Sequence, residues 1–316
     1  MDRRDVIMNS QSNVFQILLW FIFVVVIFSV GARLGTKLAM TRKLGWDDQV
    51  MIAATIAYLA QCISISQGAS QGLGKPQNTL STEQLQSFLK AEYASIVFLL
   101  LTLALIKWSI SAFIHQLSPS STHIRLNQTL SIIVAAWFVS SVLVSLFQCE
   151  IPVPWDYIHG QRCIDRRVWW IYVVVVNIVT EFFIVTLYFI MLATLKISRM
   201  KKAIVLLIFS TRLLIIVAAV AQLFVFLNSF PSSDLTEALW IPILLNQVVL
   251  SLSVVTACAP YLKPFMESLE SGIVRVENLP DSEEELSRDR TGTSRYYLTD
   301  LSNSSAGCSS RATDRC

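Results

Sequence analysis

The stretch that decides the fold is residues 168–192, which read VWWIYVVVVNIVTEFFIVTLYFIML and contain Glu181 as their only charged residue. A helix needs about 20 mostly apolar residues to cross a hydrocarbon core about 30 Å thick, so this run is long enough. Strands of a membrane barrel would be shorter and would alternate in polarity. Because the backbone must satisfy its own hydrogen bonds in lipid, the stretch is predicted to be a transmembrane helix.

Six similar runs accompany it, and the chain as a whole carries few charges. Apolar residues make up 54% of the 316 residues, charged residues 15%, and the mean hydropathy is +0.57, whereas about a quarter of a soluble domain is charged. The sequence therefore predicts an all-α polytopic membrane protein, a bundle of seven transmembrane helices covered by the lipid bilayer. The predicted helices are residues 14–34, 48–67, 92–114, 129–147, 168–192, 203–227 and 239–262.

The flanks of the membrane domain are assigned by length and composition. The first run could be a signal peptide, but it is longer than an h-region of about 7–15 residues. Arg33 and Lys37 also follow it at once, which favours a retained helix. Residues 1–13 are then a short extracytosolic N-terminus, and residues 14–266 are the membrane domain. Residues 267–316 have almost no apolar periodicity and are predicted to be a disordered cytosolic tail.

Lysine and arginine residues in the short loops, numbered 1–6 between successive helices, predict the orientation. Loops 1 and 5 carry four basic residues each, loop 2 carries two and loop 6 none, although loop 4 opposes this pattern with three arginines. The balance places the N-terminus outside and the C-terminus inside, so the sequons at Asn127 and Asn303 should stay unglycosylated. The basic residues of loops 1 and 5 are Arg33, Lys37, Arg42, Lys43, Lys196, Arg199, Lys201 and Lys202.

Two cysteines, Cys149 and Cys163, bracket loop 4 in the segment CEIPVPWDYIHGQRC. They lie on the predicted oxidising side of the membrane, where disulfides persist. A bridge across a loop of this length would contribute about 3 kcal/mol in the chain-entropy model. We expect that bridge; two free thiols, or one of them bridged elsewhere, are the alternatives.

Aromatic and polar side chains inside loop 4 are candidate ligand contacts. Trp155 and Asp156 are the leading candidates, with Tyr157 and His159 beside them. Anchoring of aromatic rings at the membrane interface explains Trp155 and Tyr157 equally well.

Three charged residues, Lys107, Glu181 and Arg212, lie inside the predicted helices. Such residues cost about 2.5–3.5 kcal/mol each on insertion scales and are functional candidates by default. At about 1.5 Å per residue, Glu181 lies about 16 Å and Arg212 about 14 Å from the cytosolic end of its helix, so the two could pair. Lys107, about 10 Å from its own end, could instead snorkel to the headgroups. A direct role in binding a ligand or a proton is the further alternative.

Asp47 and Asp48 stand at the start of helix 2, directly after Trp46. Acidic residues at a helix N-terminus match its dipole, and Trp46 suits an interfacial anchor. A contact with the lysines of loop 5 or with a cytosolic partner is the functional alternative. At the far end of the domain, Pro260 is expected to end or bend helix 7.

The sequence lacks the residues that several classes of function require. No CxxC or Cys/His cluster with metal-ligand spacing occurs, so no metal is predicted, and a net charge of +3 gives no indication of nucleic acid. The GxSxG, HExxH, P-loop and GxGxxG motifs are absent, so neither a cofactor nor an enzymatic activity is predicted. Retinal would need a lysine within residues 239–262, which contain none; Lys263 lies beyond Pro260.

Four motifs together resemble the fungal rhodopsin-domain family of seven-helix membrane proteins, some of which are receptor-like. They lie in order within about residues 14–272 and include Asp47 and Asp48. The resemblance implies a seven-helix fold and, despite the family's name, no retinal. The motifs are RKLGWDD at 42–48, KWSI at 107–110, the loop between Cys149 and Cys163, and TACAPYLKP at 256–264.

The chain also departs from the pattern that this resemblance implies. Members often carry a histidine after the glycines of loop 2, where this chain has Lys75-Pro76, and a proline midway along helix 5, which is absent here. They often carry an arginine near the outer end of helix 6, where Ala221-Gln222-Leu223 stands, and an acidic residue in helix 7, where Asn246 or Gln247 stands. If those residues form the family's functional core, this chain has altered it.

These features predict a receptor-like protein, in the plasma membrane rather than an internal membrane, that senses an extracellular small molecule or surface cue. Trp155, Asp156, Glu181 and Arg212 are the candidate ligand contacts, and loop 5 with the tail would meet a cytosolic signalling partner. One alternative is a membrane transporter, although no internal repeat is evident. Another is a membrane-embedded enzyme or accessory protein of secondary metabolism, with Glu181 as its acid.

Overall fold

The computed structural model describes residues 3–74, 79–117, 120–150, 152–158, 162–194, 210–229 and 239–277. Within these ranges the chain is all-α, as predicted, and seven helices follow one another. The chain divides into two units, Met1–Glu267 and Ser268–Cys316, and the networks and cavities described below belong to the first. The helices are α1 (Arg3–Thr41), α2 (Trp46–Gln71), α3 (Thr82–Leu117), α4 (Ser121–Leu146), α5 (Arg166–Thr194), α6 (Leu213–Ser229) and α7 (Trp240–Glu277).

Six of these helices are long and apolar enough to cross a membrane, namely α1 to α5 and α7. The described part of α6 is shorter, and the predicted helix 203–227 begins among residues outside the described ranges. Large apolar side chains cover the outside of the bundle, for example Phe28, which is 74% exposed, and Phe224. An apolar surface of this extent is unusual for a protein in water. The chain is therefore a multi-pass membrane protein.

The helices extend beyond the apolar runs that predict them, because a helix continues into polar sequence where its end is capped. α3 begins at Thr82, ten residues before the predicted start, since Ser81 and Gln84 form a capping box. The Gln84 backbone N–H donates to Ser81 Oγ at 3.2 Å, and the Ser81 backbone N–H donates to Gln84 Oε1 at 3.1 Å. α1 likewise begins at Arg3, well before residue 14.

Pro260 does not end helix 7, because α7 continues to Glu277, whereas the alternative expectation of a bend at Pro260 stays a prediction. Membrane helices tolerate proline where neighbouring groups bond the backbone that it disturbs. Pro260 leaves the Thr256 carbonyl without its helical donor, and Arg33 Nη1 donates to the neighbouring Ala257 carbonyl at 3.4 Å. α7 thus includes residues 267–277, which were assigned to the tail; residues 278–316 lie outside the described residues.

α3 contacts both α2 and α4, and α5 contacts both α4 and α6. The α3–α4 contact includes Asn127, whose side chain is 2% exposed. Asn127 Nδ2 donates to the Ser111 carbonyl at 2.8 Å, and the Ser111 hydroxyl donates to Asn127 Oδ1 at 3.0 Å. The asparagine of this sequon is therefore buried in a helix contact, whereas Gln128 and Thr129 are exposed.

Candidate functional site

Three networks of polar side chains, each built around a buried acid, include the candidate residues of the described chain. The loop 4 network joins loop 4 to the first turns of α3 and α5. The Glu181 triad joins α3, α5 and α6. The Asp47–Asp48 network joins α1, α2, α3 and α7 at the opposite end from loop 4.

Loop 4 is closed by the predicted disulfide between Cys149 and Cys163, which is confirmed. The two cysteines also pair as an isolated antiparallel bridge, and the Ile164 backbone N–H donates to the Gln148 carbonyl at 2.8 Å. The bridge therefore holds the two ends of loop 4 side by side, between the end of α4 and the start of α5.

Trp155 and Asp156, the leading ligand candidates of loop 4, are turned onto α3. Trp155 Nε1 donates to Gln86 Oε1 at 3.0 Å, and Gln86 Nε2 donates to Asp156 Oδ2 at 2.7 Å. The Lys90 ammonium lies 5.1 Å from the centre of the Trp155 ring. These side chains fasten the loop to α3 and use their polar atoms to do so. His159, the other polar candidate, lies outside the described residues.

Beside them, Tyr157 belongs to a buried charge cluster with Glu92 of α3 and Arg166 of α5. The Tyr157 hydroxyl donates to Glu92 Oε2 at 2.7 Å, and Arg166 forms a salt bridge with the same carboxylate. The Arg166 guanidinium carbon lies 3.9 Å from the centre of the Tyr157 ring. Burial raises the pKa of Tyr157, and the negative charge of Glu92 raises it further, so the phenol keeps its proton. Sequence analysis missed Glu92 because it stood at the edge of a predicted helix.

The Glu181 triad contains the predicted ion pair and one partner more. Arg212 Nη1 lies 3.1 Å from Glu181 Oε2, and Lys107 Nζ lies 2.5 Å from Glu181 Oε1. Lys107 is buried and faces Glu181, so it does not extend to the headgroups. Two cations thus share one carboxylate, and Arg212 Nε and Nη2 have no hydrogen-bond partner among the described residues.

At the opposite end, Asp47 and Asp48 lie in the first turn of α2, as predicted, and both are fully buried. Arg33 Nη2 lies 2.8 Å from Asp47 Oδ2, and Arg33 Nε lies 3.3 Å from Asp48 Oδ1. Lys37 Nζ reaches both acids, at 2.8 Å and 2.6 Å. The two acids and the two cations balance in charge. Arg33 and Lys37 are four residues apart on α1, so they share one helix face; that spacing was the available signal.

Neutral groups from α3 and α7 complete this network around Asp47. Gln116 Nε2 donates to Asp47 Oδ1 at 2.9 Å, and the Tyr261 hydroxyl donates to Asp47 Oδ2 at 2.6 Å. Ser109 Oγ donates to the Asp47 carbonyl at 2.9 Å. The lysines of loop 5, the predicted alternative partners, fall in residues that are not described.

Two neighbouring cavities lie inside the bundle, between α2, α3, α5, α6 and α7, and they share Leu99, Trp170 and Asn246. Each has a volume of about 20 Å³, which is room for roughly one water molecule. Glu92 and Arg166 line the first cavity, which places it next to loop 4. The apolar lining residues include Ile65, Ile96, Leu103, Val173, Val174, Phe226, Leu239, Ile243, Val249 and Leu250.

Four polar atoms in the walls of these cavities have no hydrogen-bond partner among the described residues. Three of them belong to uncharged side chains: Gln61 Oε1 in the first cavity, Asn177 Oδ1 in the second, and Trp170 Nε1, whose residue lines both. A fourth, Arg166 Nη1, belongs to the guanidinium group that lines the first cavity. Buried polar atoms are normally bonded, so each such exception needs an explanation. Sequence analysis missed these residues; the only signal was that Gln61 and Asn177 are polar residues within apolar runs.

The same interior offers little to a metal ion. In the part of the chain that the structure describes, no three His, Cys, Asp or Glu side chains are grouped to hold one. Cys62 and Cys258 are buried free thiols in α2 and α7.

Comparison with known proteins identifies the family of this architecture. The model of the fungal rhodopsin domain matches residues 32–268, which span well over half of the chain. The matched range contains the three networks, loop 4 and both cavities. No curated protein matches the chain. The chain belongs to the fungal rhodopsin domain family, which confirms the resemblance carried by its four motifs.

Proposed function

We propose that this protein is a plasma-membrane receptor that detects a small molecule arriving from the loop 4 side, with its N-terminus outside the cell and its C-terminus in the cytosol. The observation that carries the proposal is the pair of interior cavities with unpartnered polar atoms beside loop 4. Ligand sites are typically apolar concavities with a few polar groups that orient the ligand, and they occur between the helices of bundles.

Loop 4 supports this role because it is held in place rather than free. Its disulfide and the contacts of Trp155, Asp156 and Tyr157 with α3 fix it beside the first cavity. A loop that is already held in one conformation admits only ligands that fit past it. It also loses little conformational entropy when a ligand binds. A ligand would have to widen these cavities as it enters, since each has room for roughly one water molecule. Trp155 and Asp156, first assigned as direct ligand contacts, would then position the loop beside the ligand.

A route for the signal follows along α5. Trp170 and Asn177 line the cavities from this helix, and Glu181 lies one turn beyond Asn177. Glu181 holds Arg212 beside α6, and loop 5 joins α5 to α6. A ligand that binds one arrangement of α5 more tightly would shift the population of that arrangement and with it loop 5. A cytosolic partner that binds loop 5 and the tail would respond to this change in the position of loop 5.

Filling the cavities tests the proposal. Leu99→Trp adds volume where the two cavities meet, and Val139→Trp on the exposed face of α4 is the matched control. Each variant is expressed in a strain that lacks the protein, and both its folded amount in the membrane and the response to surface cues are measured. We expect both variants to fold and only Leu99→Trp to lose the response. Ile243→Phe, a smaller change in the first cavity, serves if Leu99→Trp does not fold.

A full response in a folded Leu99→Trp or Ile243→Phe variant would contradict a receptor that uses these cavities. The coupling step has its own test, since Lys201→Ala/Lys202→Ala should abolish the response without changing the amount of protein at the cell surface. The orientation is tested with a glycosylation tag. Fused to Met1 it should acquire a glycan, and fused to Cys316 it should not.

An enzymatic role of Glu181 has weaker support. A general acid or base exchanges a proton with its substrate. Both carboxylate oxygens of Glu181 are engaged, one by Lys107 and one by Arg212. Two cations stabilise the ionised carboxylate, so it is a poor proton donor. We therefore assign Glu181 to the link between α5 and α6.

A further inference from the structure

A wide groove opens on the surface of the bundle between the loop 4 ends of α2 and α3. Its volume is about 550 Å³, which lies within the range of roughly 300–1,000 Å³ that is usual for ligand sites. The interior cavities, by contrast, each have room for roughly one water molecule. Serine, glutamine and alanine side chains and one lysine form the walls of the groove. Most of these walls therefore offer hydrogen bonds to whatever lies in the groove.

The groove is open because α2 and α3 approach closely beside it and carry small side chains. A methyl group at Gly68 of α2 would meet Ala91 Cβ of α3 at 3.4 Å and Phe88 Cδ2 at 3.6 Å. Small residues allow membrane helices to pack this closely. Ala91 also lines the groove, together with Ala94 one turn further along α3. Two packed helices thus define the groove, and no loop has to move to open it.

The groove spans the expected boundary between the lipid headgroups and the hydrocarbon core. The predicted helices 48–67 and 92–114 mark that boundary on α2 and α3. Ser87 lies on the headgroup side of it, and Ala94 lies about 10 Å further along the helix axis, on the hydrocarbon side. Ser64, also on the hydrocarbon side, donates its hydroxyl proton to a backbone carbonyl of its own helix at 2.8 Å. The groove is therefore polar at one end and only weakly polar at the other.

The polar end offers donors that the protein does not use. In the described ranges, the side chains of Gln67, Gln71 and Ser87 make no hydrogen bond to the protein. The Lys90 ammonium has no acidic partner in these ranges, and it lies 5.1 Å from the centre of the Trp155 ring. An ammonium group carries three donors and no acceptor. An anionic group with several acceptor oxygens would satisfy this end of the groove.

The phosphodiester of a phospholipid has this chemistry and lies at this level, because lipid headgroups border the hydrocarbon core. A phospholipid also supplies an acyl chain for the weakly polar end. A sterol would offer one hydroxyl and would leave Lys90 without a counter-charge. A second copy of the chain, paired on this face about a twofold axis, would bring two Lys90 side chains towards each other, and like charges oppose association.

We infer that this groove binds one phospholipid from the leaflet on the loop 4 side, with its phosphodiester beside Ser87 and Lys90 and an acyl chain along Ala91 and Ala94. The bound lipid then borders loop 4, because Lys90 also contacts Trp155. This binding goes beyond the proposed receptor function, and it depends neither on the interior cavities nor on the orientation of the chain in the membrane.

The test uses the full chain in detergent and native mass spectrometry, which counts bound lipids while one probe is titrated. The probes are dioleoylphosphatidylcholine, dioleoylglycerol, which has the same chains without the phosphate, and inorganic phosphate. We expect one tightly bound phosphatidylcholine and about tenfold weaker binding of dioleoylglycerol, because the phosphate adds hydrogen bonds to a charged group. Inorganic phosphate should not displace the phospholipid, since it lacks the chains.

Lys90→Gln should weaken phosphatidylcholine binding about tenfold and leave dioleoylglycerol binding unchanged, since it removes the cation but keeps a polar side chain. Arg167→Gln is the matched control, because Arg167 is another exposed cation at the loop 4 end, on α5 and outside the groove. Lys90 is exposed as well, so we expect both variants to fold. Ala94→Phe, which fills the weakly polar end of the groove, should weaken the binding of both lipids.

Four results would each overturn the phospholipid site. They are equal binding of phosphatidylcholine and dioleoylglycerol, equal loss of phosphatidylcholine binding in Lys90→Gln and Arg167→Gln, undiminished binding in a folded Ala94→Phe variant, and displacement of the lipid by inorganic phosphate. The last result would indicate a site for a soluble anion. A response to surface cues that is lost in Leu99→Trp would not bear on this site, so the two proposals fail separately.

Discussion

The loop 4 end of the bundle and the Asp47–Asp48 end are both held by buried charges, but they are built differently. At the Asp47–Asp48 end, two acids and two cations join four helices, and Gln116 and Tyr261 add further bonds to Asp47. At the loop 4 end, Glu92 meets one cation, Arg166, and unpartnered amide and indole atoms lie close by. The charge network of the Asp47–Asp48 end suits a rigid, purely structural role. The unpartnered atoms of the loop 4 end suit a binding site whose hydrogen bonds are completed by a ligand.

The largest effect is expected from Asp47→Ala, which removes a carboxylate at the Asp47–Asp48 end. Arg33, which is buried, and Lys37, whose side chain is 15% exposed, would each lose one of their two acidic partners. Breaking a buried pair on one side typically costs about 3–5 kcal/mol. The folded fraction after detergent extraction, measured by size-exclusion chromatography, should fall sharply. Asp165→Asn is the matched control, because Asp165 is exposed and asparagine caps the start of α5 equally well. An equal loss of folded fraction in the two variants would contradict a structural role of Asp47 at this end of the bundle.

The Glu181 triad should respond asymmetrically, because one acid serves two cations. Glu181→Gln leaves Lys107 and Arg212 without a counter-charge and should cost about 3–5 kcal/mol. Arg212→Gln leaves the Lys107–Glu181 pair neutral and should cost about 1–3 kcal/mol. Thermal unfolding in the same detergent compares them. Equal losses would indicate that Lys107 is uncharged in the folded protein. A stable Glu181→Gln protein that lacks a metabolic product would instead favour the enzymatic alternative.

The disulfide of loop 4 ranks third. Replacing Cys149 and Cys163 by serine should lower stability by about 2–4 kcal/mol, since the unfolded chain regains the freedom that the bridge removes. The contacts of Trp155, Asp156 and Tyr157 with α3 remain, so the variant should still insert. Thermal unfolding with and without reductant checks this: the natural chain should lose stability in reductant and the variant should not. A natural chain that is indifferent to reductant would contradict the expected contribution.

The smallest of these effects is expected from Tyr157→Phe at the loop 4 end. It removes one hydrogen bond to Glu92 but leaves Arg166 paired and its stack on the ring in place. Hydrogen bonds to charged groups contribute about 1.5–3 kcal/mol, and the remaining partner of Glu92 should hold the loss near the lower figure. Thermal unfolding measures it. The control is Tyr172→Phe, which also removes one hydrogen bond of a tyrosine hydroxyl, that with Ser140 Oγ at 2.8 Å, but at an exposed position and to an uncharged partner. A larger loss than in the disulfide variant would reverse this ranking.

The sequence was sufficient for features set by composition and by distance along the chain. Hydropathy located the apolar runs, the two cysteines at the ends of loop 4 predicted their bridge, and matching depths predicted the Glu181–Arg212 pair. Lys107 was misjudged because its distance from the helix end does not reveal the direction in which its side chain points. That direction depends on how α3 is rotated against α5, which only packing determines.

The features that the sequence could not provide arise where several helices meet. Asp47 and Asp48 predicted only the start of a helix. Their burial was not predictable, because Arg33, Lys37 and Tyr261, which cover them, belong to α1 and α7. The cavities are even harder to predict from the sequence. Gln61, Trp170 and Asn177 become notable only because packing leaves their polar atoms without partners, and no spacing pattern encodes that outcome.

Because Asn127 is buried between α3 and α4, its glycosylation would distinguish misfolded chains from folded ones. A glycan on this side chain would occupy the place of Ser111 and separate the two helices. Enzymes that attach glycans act on the growing chain before its helices pack. In the proposed orientation Asn127 lies on the cytosolic side of the membrane. A glycosylated Asn127 would then mark a chain that entered the membrane in the opposite orientation, and a mobility shift on a gel would detect it.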